Sequence, residues 1–356
     1  ALAAHGKNEY EKAMQLYDEA YEKGMDKPRL LRGYSVLLIR TGHFDRALEV
    51  LKKIEKLPGL TAAEKTDIHV NYAIILWQKG HLEHAMEILE DEMRCTDKCE
   101  DDVWKELENR YDIMKNGTTA ALGESGKRLR KTMITGMAER QFSYAENGNS
   151  LCGVGINKMM ARAISLSETN AAMGKICAAP TAGSCGILPA VLVTMEEEWN
   201  LSKRKILEGL LIASGIGAVV VKNATVAGAE GGCQAECGVA AAMAAAAVVY
   251  LAGGTCRQQA AAVSLALINV MGLVCDPIAG LVQIPCAQRN ASQAVNAIVS
   301  ADLALADTVC PVPADEAIEA MYRVGKQLPR ELRETALGGI AESETGKRIA
   351  DEIRNQ

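Results

Sequence analysis

Asn223-Ala-Thr-Val-Ala-Gly-Ala-Glu-Gly-Gly-Cys-Gln-Ala-Glu-Cys237 runs directly into Gly238-Val-Ala-Ala-Ala-Met-Ala-Ala-Ala-Ala-Val-Val-Tyr-Leu-Ala-Gly-Gly254. The second half has no charge and little bulk, and it closes on paired glycines. It reads as a helix apolar on every side, which demands burial on every side. At 17 residues it falls short of the roughly 20 needed to span a bilayer, so a core helix is expected. Ile206–Val221, interrupted by Glu208 and several glycines, reads the same way. In the first half, Gly231 and Gly232 precede Cys233, and Glu230 and Glu236 flank it. A glycine pair lets the backbone take positive φ, and a thiol carried on such a turn is well placed to bind a metal.

Two further cysteines stand beside turn residues: Cys275 in LVCDP, near Pro277, and Cys286 in IPCAQRN, after Pro285. Proline stiffens the chain at the sulfur and removes a backbone donor. Spacing alone favours ordinary buried thiols, because free cysteine is among the most buried residue types. No paired CxxC is present, and Cys95 and Cys99 have no further ligand near them in sequence.

The 356 residues suffice for two or three domains. Hydrophobic residues make up 49% but aromatics only 4%, so small aliphatic side chains must fill closely packed helices. A net charge of −6, with no basic stripe, argues against nucleic acid. Eleven cysteines in mainly apolar segments suggest a reducing cytoplasm and a metal rather than disulfides. The opening ALAAHGKNEYEKAM is polar and does not read as a signal peptide.

Residues 1–95 repeat internally. Asn8–Tyr17, Gly42–Leu51 and Gly80–Leu89 superpose with Ala13, Ala47 and Ala85 aligned, and Tyr10, Phe44 and Leu82 three positions earlier. A period near 34 with a small residue at the helix contact resembles tetratricopeptide helix pairs, which bury their faces by stacking. This segment is either a docking surface for a partner or a helical extension of the rest. Residues 96–150 read as a connecting helical segment. From 151 to 356, Gly and Ala rise, charge falls, and Gly/Pro turns separate expected helices over 155–173, 187–198, 202–222, 238–252, 256–271, 290–307, 314–325 and 344–354. The fold class expected is all-α: helical repeats followed by a helical, Ala/Gly-rich domain.

All five histidines lie at or before residue 84. A Ser/His/Asp or Cys/His site, or a His-ligated zinc, is therefore excluded from 151–356. The small-residue loop Ala178–Pro189 leads into a helix, where hydroxyls and amides could cradle a carboxylate or phosphate. It lacks the Gly-Lys-Ser/Thr ending of a Walker A loop.

SETNAAMG, AAPTAGSCGILPAVL, NATVAGAEGGCQAE, LVCDPIAGLVQIPCAQRN, EAMYRVG, PRELRETALGG and TGK follow one another in unbroken order over about 150–350. Together they resemble the α subunit or domain of iron–sulfur-dependent L-serine dehydratase. The resemblance implies a [4Fe–4S] cluster on Cys233, Cys275 and Cys286, with one iron left open as a Lewis acid. It implies conversion of L-serine to pyruvate and ammonia, and a β subunit carrying a Ser-His-Thr motif that occurs nowhere in this sequence. The tetratricopeptide-like segment lies outside the usual family layout. On this reading the loop with Thr181, Gly183 and Ser184 takes the substrate carboxylate, Asn170 and Arg289 face it, and Lys175 or Lys222 is the candidate base. Neither a membrane nor a nucleic acid is an expected partner.

Two other readings compete. A pyridoxal-phosphate dehydratase would need Lys175 or Lys222 as Schiff base and the 228–232 loop for phosphate, but the strand–helix alternation of such enzymes is missing. A non-catalytic scaffold built on the repeats is opposed by the cysteine triple.

Overall fold

The computed structural model describes residues 10–24, 27–61, 100–148, 150–308 and 310–355, with positions 64, 65, 68, 71, 72 and 75. It divides into two compact units, Ala1–Val103 and Trp104–Gln356.

In the first unit, α1 (Tyr10–Glu22), α2 (Pro28–Arg40) and α3 (Phe44–Glu55) pack each on the next. Pro28 opens α2 at the position where its missing N–H costs nothing. The aligned Ala13 and Ala47 are both fully buried, as the repeat requires of its small residue. Tyr17 stacks on Tyr34 at 5.4 Å, and the Tyr34 hydroxyl donates to Asp18. The third repeat copy, with Leu82 and Ala85, and the pair Cys95 and Cys99 lie outside the described residues.

The second unit contains α4 from Trp104 onward (the helix spans Glu100–Gly117), α5 (Gly123–Lys127), α6 (Met137–Glu146) and α7 (Gly153–Ala171). It continues with α8 (Ile187–Glu198), α9 (Lys203–Asn223) and α10 (Gly228–Gly231). A π turn over Gln234–Gly238 then leads into α11 (Val239–Leu251), followed by α12 (Cys256–Ile268), α13 (Cys286–Leu305), α14 (Ala314–Gln327) and α15 (Glu344–Arg354). No strand occurs among the described residues; one isolated bridge joins Cys275 and Arg333. Residues 104–150 thus pack in the same unit as 151–356.

The helix read from the Ala run is the centre of this unit. α11 packs against α8, α9, α12 and α13, and all its residues except Tyr250 are buried. Alanine makes it thin, so four neighbours can approach at once. α9 and the π turn with α11 are each apolar and long enough to cross a membrane, yet 94% of the second window is buried inside the unit. Its apolar character is accounted for by core packing. α12 starts on a reciprocal capping box between Thr255 and Gln258.

Ser165 and the SETN stretch of α7 (167–170) hold backbone. Ser165 accepts from the Ala121 N–H and donates to Gly117 O. Glu168, 4% exposed, accepts the Gly136 and Ala138 N–H groups at 2.8 and 2.7 Å, and so occupies the first turn of α6. Glu168→Ala is expected to lower stability by about 2–4 kcal/mol, because the buried Ala138 and half-buried Gly136 N–H groups lose a carboxylate acceptor. The urea midpoint at pH 7 measures this, and a shift under about 0.5 kcal/mol would contradict it.

Candidate metal centre

Three separate segments bring sulfur to one place. Cys233 follows Gly232, whose φ of 75° turns the chain out of α10. A Cβ at Gly232 would stand 2.7 Å from Leu273 O, so glycine is required for both conformation and space. The next five residues form the π turn, a widened helical turn often found at functional sites. Gln234 anchors it: its side-chain amide donates to Gly231 O and Met321 O and accepts the Gly272 N–H. Cys237 then comes back beside Cys233, the two Sγ atoms 3.4 Å apart. Cys275 arrives from the loop after α12, and its N–H donates to Leu332 O. Cys286 is the first residue of α13. Relative exposures are 0% for Cys233 and Cys237, 3% for Cys275 and 5% for Cys286.

Cys233 is the thiol of this group whose ionisation the surroundings favour. Hydrogen bonding with Cys237 and Cys275, with the Arg289 guanidinium beside it, holds it well below the usual thiol range despite burial. Hydrogen bonding with Cys233, reinforced by burial, pushes Cys237 and Cys275 up. Burial pushes Cys286 up to about 12. Arg289 is itself anchored, donating to Val274 O at 2.7 Å and to Asp276 Oδ1 at 2.8 Å. The Asp276 Oδ2 accepts the Ile340 N–H.

Glu236 projects from the same π turn, and its carboxylate lies within 4.8 Å of the sulfurs of Cys233 and Cys237. Burial, with the Cys233 and Glu334 charges, pushes it up to about 7 against a hydrogen bond from Thr181. A Cβ at Gly183 would lie 2.5 Å from Glu236 Oε1, so the 181–184 loop reaches the carboxylate only because Gly183 has no side chain.

The loop is pinned to the sulfur group by Asn290. This fully buried residue of α13 accepts the Gly186 N–H at 2.9 Å and donates to Gly183 O and Cys286 O at 2.7 and 2.8 Å. Within the loop the Thr181 and Ser184 hydroxyls are 3.0 Å apart. The hydroxyl of Thr181 donates to Glu236 Oε1 at 2.5 Å. Asn170 donates to Ala182 O. Four sulfurs, one carboxylate and an anchored guanidinium therefore share one buried place. The soft, buried donors, with no histidine among residues 104–356, fit an iron–sulfur cluster or a thiolate-bound metal.

Residues 79–341, which include every group just described, match the family described as serine dehydratase alpha chain. The chain belongs to the serine dehydratase alpha chain family. Over 261 residues it is 52% identical to the L-serine dehydratase, alpha chain, of Peptoniphilus asaccharolyticus, spanning 73% of this chain and 89% of that one. It is 42% identical over 262 residues to the probable L-serine dehydratase, alpha chain, of Bacillus subtilis (strain 168), spanning 74% and 87%. The L-serine dehydratase 2 of Escherichia coli (strain K12) is 36% identical over 246 residues, which cover 68% of this chain and 54% of the relative. Residues 4–57 match the tetratricopeptide repeat, in agreement with the reading of the N-terminal segment.

In this member of the serine dehydratase alpha chain family, the structure gathers Cys233, Cys275, Cys286, Thr181, Gly183, Ser184 and Arg289. Two of the expected substrate contacts are engaged within the chain: Thr181 with Glu236, and Arg289 with Asp276. Asn170 holds the loop carbonyl of Ala182. Lys175 is exposed and Lys222 sits in the last turn of α9. Neither lysine is among the charges felt by the cysteines, Glu236 or Arg289. Sequence reading did not assign Cys237, Glu236 or Asn290 to the site. The spacing of Cys233 and Cys237, four apart on a helical turn, was the one local signal available.

Proposed function

We propose that this chain is the cluster-bearing component of an L-serine dehydratase, converting L-serine to pyruvate and ammonia. The observation that carries the reading is the convergence of Cys233, Cys275 and Cys286, with Cys237, in one buried group. The names of the α-chain relatives support the substrate.

Cys233, Cys275 and Cys286 would hold a [4Fe–4S] cluster. When bound, a cluster with an open iron supplies a Lewis acid that polarises the substrate Cβ–OH bond. The protein's own groups do the rest. Arg289 favours the thiolate form of Cys233, and Asp276 fixes that guanidinium in place. Asn290 holds the 181–186 loop against the start of α13, so the substrate-facing backbone keeps its position relative to Cys286. Burial of the sulfurs excludes water from them.

A second chain completes the enzyme. The named relatives are alpha chains, and the matched part of the Escherichia coli relative is 54% of its length. Residues 104–356 contain no histidine, the side chain that most readily supplies a base near neutral pH. A β chain would bring that base, and the tetratricopeptide segment would dock it or another partner. A cytoplasmic location belongs to the same proposal.

The test is anaerobic purification, iron and sulfide analysis, and a pyruvate assay of the chain alone and with a β chain. The expected result is iron with matching sulfide, turnover only in the pair, loss in air, and recovery with ferrous iron and thiol. Zinc without sulfide would overturn the cofactor, and equal turnover by the lone chain would overturn the need for a partner.

A further inference from the structure

Glu236 is a buried carboxylate that meets no cation among the described residues. It is 8% exposed, and its hydrogen bond comes from Thr181 on Oε1, while Oε2 accepts none among the described residues. Burying a carboxylate without a counter-charge is unfavourable, so a cation that can reach it is favoured there. The Arg289 guanidinium beside Cys233 is already committed to Asp276 and Val274.

A second carboxylate borders the same space. A Cβ built on Gly228 would stand 3.2 Å from Glu236 Oε2, 3.5 Å from Glu334 Oε2 and 3.2 Å from Cys275 Sγ. Glycine at 228 keeps that point clear. Glu334 is held there in a left-handed conformation, φ 63°, and its N–H donates to Cys275 O at 2.7 Å. Strained non-glycine residues cluster at ligand sites, where surrounding contacts impose the conformation. The space over Gly228 is thus edged by two carboxylates and a cysteine sulfur. Such a surround rejects anions and selects a cationic group able to donate several hydrogen bonds.

We infer that Glu236 and Glu334 form the seat of the substrate's α-ammonium group, with Thr181 setting the orientation of Glu236. The inference rests on the reading of L-serine as substrate, since the ammonium is that zwitterion's only cation. It also accounts for Thr181 in a way the sequence did not suggest: its hydroxyl positions the ammonium acceptor. The seat would distinguish 2-amino-3-hydroxy acids from 3-hydroxy acids that lack the amine.

The experiment uses the cluster-loaded enzyme with its β chain. It compares the KM for L-serine with inhibition by 3-hydroxypropionate, which is serine without its amine. Glu236→Gln keeps the shape and the bond from Thr181 but removes the charge. It is expected to raise the KM for L-serine by about 30-fold, the range of a lost charge-assisted pair, and to leave 3-hydroxypropionate inhibition within about twofold. Glu334→Gln is expected to act in the same direction by about fivefold, since this residue is only half-buried. Iron and sulfide should stay at the parent level in both, which separates a substrate seat from a metal ligand. An unchanged KM, equal weakening of both ligands, or loss of iron would overturn the assignment. Should Glu236→Gln not fold, the split in Glu334→Gln decides. Should the parent enzyme make no pyruvate, the dehydratase reading fails first. Equilibrium dialysis of labelled L-serine against 3-hydroxypropionate then decides the seat, and no preference for the amine overturns it.

Discussion

Alanine at Cys233, Cys275 or Cys286 is expected to abolish turnover and to strip most of the iron from the protein. Each sulfur comes from a different segment: the residue that opens the π turn supplies the first, the loop after α12 the second, the start of α13 the third. A Lewis acid is worth several kcal/mol of barrier, which corresponds to a loss of roughly 1000-fold or more. Cys237 sets a sharper condition. It lies 3.4 Å from Cys233 and is fully buried, but it is hydrogen-bonded to Cys233 and stands outside the proposed ligand triple. Cys237→Ala should retain iron near the parent level, and Cys310→Ala, half-buried with its sulfur near Val312 O, should behave as the parent. Anaerobic iron analysis and absorbance of the thiolate-to-iron bands check all five variants. Parent-level iron in any one of the first three would remove that residue from the ligand set.

The second large effect is expected at Asn290. Its amide makes three bonds, each to backbone, and two of them tie the Gly183–Gly186 loop to α13. Asn290→Ala leaves the buried Gly186 N–H and Gly183 O unpaired and opens a cavity, which together cost about 3–5 kcal/mol. Asn290→Asp separates the two contributions. One carboxylate oxygen could still accept from Gly186, but the other would face the carbonyl oxygens of Gly183 and Cys286, where only a donor fits. Aspartate should therefore be at least as damaging as alanine, whereas a role in simple space-filling would make it milder. Urea unfolding of the purified chain measures the stability change. The pyruvate assay at a temperature where the variants stay folded reads the displacement of the loop.

Much of the framework was legible because it follows periodicity and punctuation. The helix expected over 187–198 is α8, and the Ala run is a core helix because nothing in it can face water. α13 begins at Cys286 rather than 290, directly after Pro285. The centre was legible only in its cysteines. Glu236 and Cys237 sit on a π turn, which breaks the 3.6-residue rhythm and so puts them on faces that helical counting does not give. Asn290 reads as an ordinary polar residue in a helix until the loop more than a hundred positions earlier is placed against it. Arg289 was expected to face the substrate. Its pairing with Asp276 is invisible to local spacing, because a bend through Ile278–Gly280 brings the two together.

The order in which the chain is made bears on how the centre is completed. Cys275 is bracketed by Leu332 O and the Glu334 N–H, and Asp276 by the Ile340 N–H, whereas the 181–186 loop is made about 150 residues earlier. At 5–20 residues per second, on the order of ten seconds separate the emergence of that loop from that of its closing strap. Through that interval the nascent sulfurs have neither the strap nor its hydrogen bonds. Metal delivery during translation would thus meet an open, half-built nest, and delivery after release would meet a closed one. The two routes should differ in their demand for a carrier.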